Sequence, residues 1–102
     1  MPLHLIRLAV GIRDIDHLAS AQSARRHERD GVPVVHSFTK RMPRRPDEIT
    51  DGGSLYWVIK GSVRCRQRVL GFEAAQGEGG EPWCRLILDP ELVEVLPRAK
   101  RP

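Results

Sequence analysis

The chain has 102 residues, 40% hydrophobic and 29% charged, which excludes wholesale disorder and leaves room for one domain with one modest core. No run approaches the ~20 consecutive apolar residues of a membrane-spanning helix, so that class is excluded. Seventeen Lys and Arg against thirteen Asp and Glu give a net charge of +4, a mild excess that attracts phosphate-bearing partners.

Residues 3–10, LHLIRLAV, form an apolar run interrupted by His4 and Arg7 and closed by Gly11. They read as a strand buried mostly on both faces. No basic segment with an apolar stretch behind it precedes them, so no secretory signal is expected and the protein is expected in the cytoplasm. Residues 14–29 read as a helix with Asp14 as N-cap. Ile15, Leu18, Ala19 and Gln22 form its thin apolar stripe, and Asp30-Gly31 ends it with Gly31 as a left-handed cap. Val32–Thr39 reads as a second strand. The proline-punctuated segment Lys40–Pro46 is irregular, Asp47–Ile49 reads as one short helical turn, and residues 50–53 are a turn.

The second half reads as all-β. Residues 54–60 alternate, Gly61-Ser62 is a tight connection, and residues 63–72 form a long strand. Val63, Cys65, Gln67 and Val69 take one face of it, and Arg64, Arg66, Arg68 and Leu70 the other. Residues 76–82 are a flexible loop, and Trp83–Leu88 is the returning strand. Residues 91–96 are a short helix or strand, and the polar tail 97–102 is irregular. The expected fold class is α+β: a small mixed or antiparallel sheet curling toward a barrel, with one N-terminal helix.

The three arginines are the sharpest chemical feature. Alternate strand residues point one way, so Arg64, Arg66 and Arg68 stand in a row about 7 Å apart. Like charges at that spacing need solvent, carboxylate partners or an anionic ligand, and phosphates along a nucleic-acid strand have a comparable repeat. Carboxylates at Glu73 or Glu94 would make the row an ordinary solvated face. Tyr56 and Trp57 lie on the preceding strand and point to opposite faces, so one of them shares the arginine face. An aromatic beside guanidiniums on an open sheet stacks bases and holds phosphates. Lys60, Lys40 and Arg41 complete the candidate nucleic-acid-binding set, and the tail adds Arg98, Lys100 and Arg101.

Other chemistry has weaker support. His4, His17, His27 and His36 show no metal-ligand spacing, and no metal or other cofactor is expected. Cys65 and Cys84 form no CxxC pair and read as reduced thiols, with a disulfide between neighbouring strands left open. The loop Gly77–Gly80 lacks the Lys-Ser/Thr ending of a phosphate loop, and no residue set positions a catalytic pair, so no catalytic residue is assigned.

The blocks LHLIRLAVGI (residues 3–12), DGGSLYWVIKGSVRCRQR (51–68) and CRLILDPELVEVLPR (84–98) together resemble the DUF1489 family of alphaproteobacterial proteins, whose function is unassigned. The resemblance covers essentially the whole chain, and DGGSLYWVIKG followed by RQR is its specific part. Family members continue past this chain's last residues into an aromatic, arginine-containing segment, so the resemblance implies either a short member or a fragment of a longer one. The succession LYWVIKG, VLGFEAA and CRLIL is also similar to the PUA-like barrels, including the ASCH and EVE domains, which implies RNA or modified bases held in a basic cleft. The sequence thus points to a small basic RNA-binding module without a membrane partner. The alternative is a protein-interaction or oligomerisation domain, and the oligomeric state is left open.

Overall fold

The computed structural model describes residues 3–99. Its elements are β1 (Leu5–Leu8), α1 (Ile15–Ser23), β2 (Arg26–Arg29), β3 (Val32–Thr39), α2 (Pro46–Thr50), β4 (Ser54–Ile59), β5 (Ser62–Gln76), β6 (Pro82–Leu88) and β7 (Val93–Ala99). The strands form one mixed, open sheet in the order β1-β4-β5-β6-β3-β2, with β7 also on β5. The β1–β4 pair is parallel and the others are antiparallel.

The 15-residue β5 organises this sheet. Its first half pairs with β4 and β7, and its second half with β6. Strands β6 and β7 run antiparallel to β5 in succession, as one strand interrupted at residues 89–92. The alternation read from the sequence holds along β5: Val63, Cys65, Gln67 and Val69 are buried, while Arg64, Arg66 and Arg68 are half-buried or exposed. Leu55, Trp57 and Ile59 from β4 join Cys65 and Val69 in the core. Leu86 and Leu88 from β6, Val35 from β3 and Leu18 from α1 close it.

Four expectations are corrected. The N-terminal strand is short and lies at a sheet edge, with Ile6 and Leu8 each more than half exposed. It has a partner only on its β4 side, so one face and one edge stay open. The helix stops at Ser23, and residues 26–29 form β2 instead of its last turns. The reason is the turn. Asp30 and Gly31 both have positive φ, 53° and 80°, the two-residue geometry that joins antiparallel strands, so Asp-Gly makes a hairpin and not a helix cap. There are two helices, since Pro46–Thr50 forms α2. Lastly, residues 93–99 form strand β7, where an irregular tail was expected from 97. The tail cations Lys100 and Arg101 lie outside the described residues.

A buried polar knot ties α1 to β5. Gln22 and Gln67 exchange two amide hydrogen bonds of 2.9 and 2.8 Å. Gln67 Oε1 also accepts from Trp57 Nε1 at 3.0 Å, and Gln67 Nε2 also donates to the Asp89 carbonyl at 2.9 Å. Gln67 is fully buried, and these four bonds supply the partners that burial of an amide requires. No helix among the described residues is long and apolar enough to cross a membrane.

Candidate nucleic-acid interface

Strand register decides which aromatic accompanies the arginines. Tyr56 pairs with Arg66 and Ser54 with Arg68, so both share the arginine face. Trp57 pairs with Cys65, points inward, and is 7% exposed with its indole N–H held by Gln67. Trp57 is therefore a core residue, and the interface expectation for it is corrected. Tyr56 is half-buried and steadied by His4, whose ring meets it edge-on at 5.4 Å. His4 Nδ1 in turn accepts from the Ser54 backbone N–H at 3.0 Å, which fixes its ring.

Neither of the carboxylates that could have neutralised the arginine row forms an ion pair with it among the described residues. Glu73 lies farther along β5, where Arg29 grips it through two bonds of 2.6 and 2.8 Å and Arg85 through one of 3.0 Å. Those two guanidiniums hold the Glu73 carboxyl down at about 2. Glu94 pairs in register with Cys65. Among the described residues, none of Arg64, Arg66 and Arg68 forms an ion pair, and the Arg64 Nε is buried without an acceptor. A β-bulge falls at Arg64, because Trp57 opposes Cys65 while Val58 opposes Val63.

The other candidates fall in two places. Lys60 is exposed in the turn between β4 and β5, with φ of 51° ahead of Gly61 at 84°. Lys40 and Arg41 are exposed just after β3, and Arg41 borders a gap between β1 and β3. Strands β4 and β1 separate that gap from β5, so this basic segment is not part of the arginine row.

Sequence reasoning missed the gap itself. Arg7 on β1 reaches across it, and its Nη1 donates to the Phe38 carbonyl at 3.1 Å and Ser37 Oγ at 3.3 Å on β3. Beside this strut, between β1, α1 and β3, opens a cleft of about 650 Å³. On its wall the rings of His27 and His36 stack with centroids 4.0 Å apart. His27 was expected on the helix; as part of the hairpin it pairs with Val34 and so comes beside His36. Partial burial, then neighbouring His27, Arg85 and Arg29, lower the His36 pKa, with Glu73 opposing. The signal for this pair was the Asp30-Gly31 turn.

The remaining titratable groups are quieter. Cys65 and Cys84 are free and buried. Burial raises both thiols, Cys65 to about 11, so neither is an activated nucleophile. No group of three His, Cys, Asp or Glu among the described residues could hold a metal ion.

The family model described as a protein of unknown function, DUF1489, matches residues 5–102, and the chain belongs to that family. No curated protein and no solved structure matches the chain.

Proposed function

We propose that this DUF1489 protein is a cytoplasmic module that binds single-stranded nucleic acid, RNA in particular, on the outer face of β5 and β4. The observation that carries the reading is the row Arg64, Arg66 and Arg68, without carboxylate partners among the described residues and with Tyr56 in register beside it. Guanidiniums grouped along one strand hold phosphates, and Tyr56 offers a ring on which a base can stack. Lys60 extends the positive row at the turn. Nothing in this interaction reads base identity, so it is a backbone-and-stacking surface whose affinity falls with salt. The curled sheet fits a PUA-like barrel in which Arg7 bridges the remaining gap between β1 and β3.

The test is the ratio of absorbance at 260 and 280 nm of the purified protein, before and after a high-salt wash. The reading expects a raised ratio that salt removes. It also expects the Arg64→Ala/Arg66→Ala/Arg68→Ala variant to carry no nucleic acid while keeping the same circular dichroism. A folded triple variant that binds RNA as the parent does would overturn it.

A second reading rests on β1. This edge strand has one free side, and Ile6 and Leu8 are 54% and 55% exposed, an arrangement that invites pairing between copies. A molar mass by light scattering that rises with concentration, with no nucleic acid bound, would favour an oligomerisation domain.

A further inference from the structure

The cleft beside Arg7 carries a separate assignment. At about 650 Å³ it lies within the range of roughly 300–1,000 Å³ typical of small-molecule sites. Its position is that of a ligand site, since it opens where neighbouring strands fail to pair. Strand β2 covers β3 only as far as Val35, so residues 36–39 leave an edge facing the free edge of β1. Charge on its wall is of one sign. Arg7 and Arg25 border it, and no Asp or Glu does. Arg7 spends one nitrogen on Ser37 and Phe38, and that anchorage fixes the direction of its guanidinium. Aliphatic side chains, among them Leu8, Ile12 and Leu18, line part of the remaining wall, and planar rings line another part. Phe38 and Trp83 stand with the stacked His27 and His36, whose planes lie 16° apart.

Fixed cations beside ring faces, with no competing carboxylate, select an anion attached to a flat ring. A bare anion would leave the aromatic wall unused, and a neutral ring would leave two positive charges without a counter-anion. We infer that the cleft between β1, α1 and β3 binds a nucleoside monophosphate, with Arg7 and Arg25 on the phosphate and the His27, His36, Phe38 and Trp83 wall against the base. Arg25 approaches from the segment between α1 and β2, while Arg7 is held across the gap. The two cations thus come to the cleft from different elements. The inference does not depend on RNA binding at the β5 face, which lies two strands away.

Isothermal titration of the full chain with adenosine 5′-monophosphate, adenosine and inorganic phosphate tests this. The monophosphate should bind saturably, at least tenfold more tightly than either of the other two. Arg7 also braces the fold, so the informative variant is Arg25→Ala at an exposed position, which should weaken the monophosphate about tenfold or more. Arg26→Ala removes a neighbouring charge that does not border the cleft and should change affinity by less than twofold. Inorganic phosphate binding as tightly as the nucleotide would overturn the assignment of the base wall. Absence of binding by the monophosphate, or equal loss in both variants, would overturn the site. Loss of RNA binding with monophosphate binding intact would overturn only the β5-face reading.

Discussion

Gln67 shows how one residue sets the inner geometry of this fold. Its amide meets Gln22, Trp57 and Asp89 at once, from a fully buried position on the strand that carries the arginines outward. Replacing it with leucine leaves the Gln22 amide, the Trp57 indole N–H and the Asp89 carbonyl without that partner. The expected cost is about 3 kcal/mol, since buried unsatisfied groups cost about 1–3 kcal/mol each. The double variant Gln22→Leu/Gln67→Leu should cost less than the two single changes together, because it removes both halves of the amide pair. Urea unfolding of the three variants measures this, and strict additivity would show that the pair is not coupled. Glu73 makes the matching statement about charge. Its folded-state pKa, about 2, lies below the ordinary 4.5, so the unfolded chain takes up the proton first. The contribution is present above about pH 4.5 and is lost as pH falls toward 2. His36 acts in the same direction at higher pH. Its pKa is lowered from 6.5, so stability falls as pH drops below that value. Denaturation midpoints from pH 7 to 3 should therefore decline in two stages, and Glu73→Gln should shrink the lower one, leaving the share of Glu81, whose carboxyl is also held low by backbone N–H groups and Trp83.

At the scale of elements, turn chemistry mattered more than periodicity. The periodicity of Ile15, Leu18 and Gln22 located α1 correctly, and strict alternation located both faces of β5. Residues 24–31 were misread because ARRHERDG satisfies helix propensity as well as it satisfies a hairpin. Local propensity does not choose between them; pairing of β2 with β3 does. The same positive-φ pair recurs at Lys60-Gly61 between β4 and β5. Two glycines separate the physical effects. Gly31 has a φ of 80° and open space around its α-carbon, so Gly31→Ala should cost about 1 kcal/mol from backbone conformation alone. Gly53 has no positive φ, but a Cβ there would strike the carbonyl oxygens of Leu3 and Ile49. Both belong to backbone that cannot swing aside as a side chain does, so Gly53→Ala should cost more, about 2–3 kcal/mol. Thermal melts of the two variants check the order, and a milder Gly53 variant would contradict the packing of α2 and residue 3 against this turn.

At the scale of the whole molecule, the two surfaces of β5 divide the labour. The inner side chains join the core and its glutamine knot, and the outer ones present the arginine row. The row was legible in the sequence, because alternation along a strand is a local property. Its aromatic companion was not, because the choice between Tyr56 and Trp57 depends on the register with which β4 meets β5. The cleft was not legible either. It forms where strands distant in sequence fail to meet, and only Arg7, 31 residues from Phe38, marks it. The account stands on the claim that the arginine row engages phosphates. The most direct test is the salt dependence of binding to a fluorescein-labelled single-stranded RNA, followed by anisotropy for the parent and for the Arg64→Ala/Arg66→Ala/Arg68→Ala variant. Each phosphate contact on a single strand contributes about 0.7 to the slope of log affinity against log salt. The account predicts a triple variant that binds more weakly at every salt concentration, with a slope shallower by about 2. Equal slopes and equal affinities for the two proteins would contradict it.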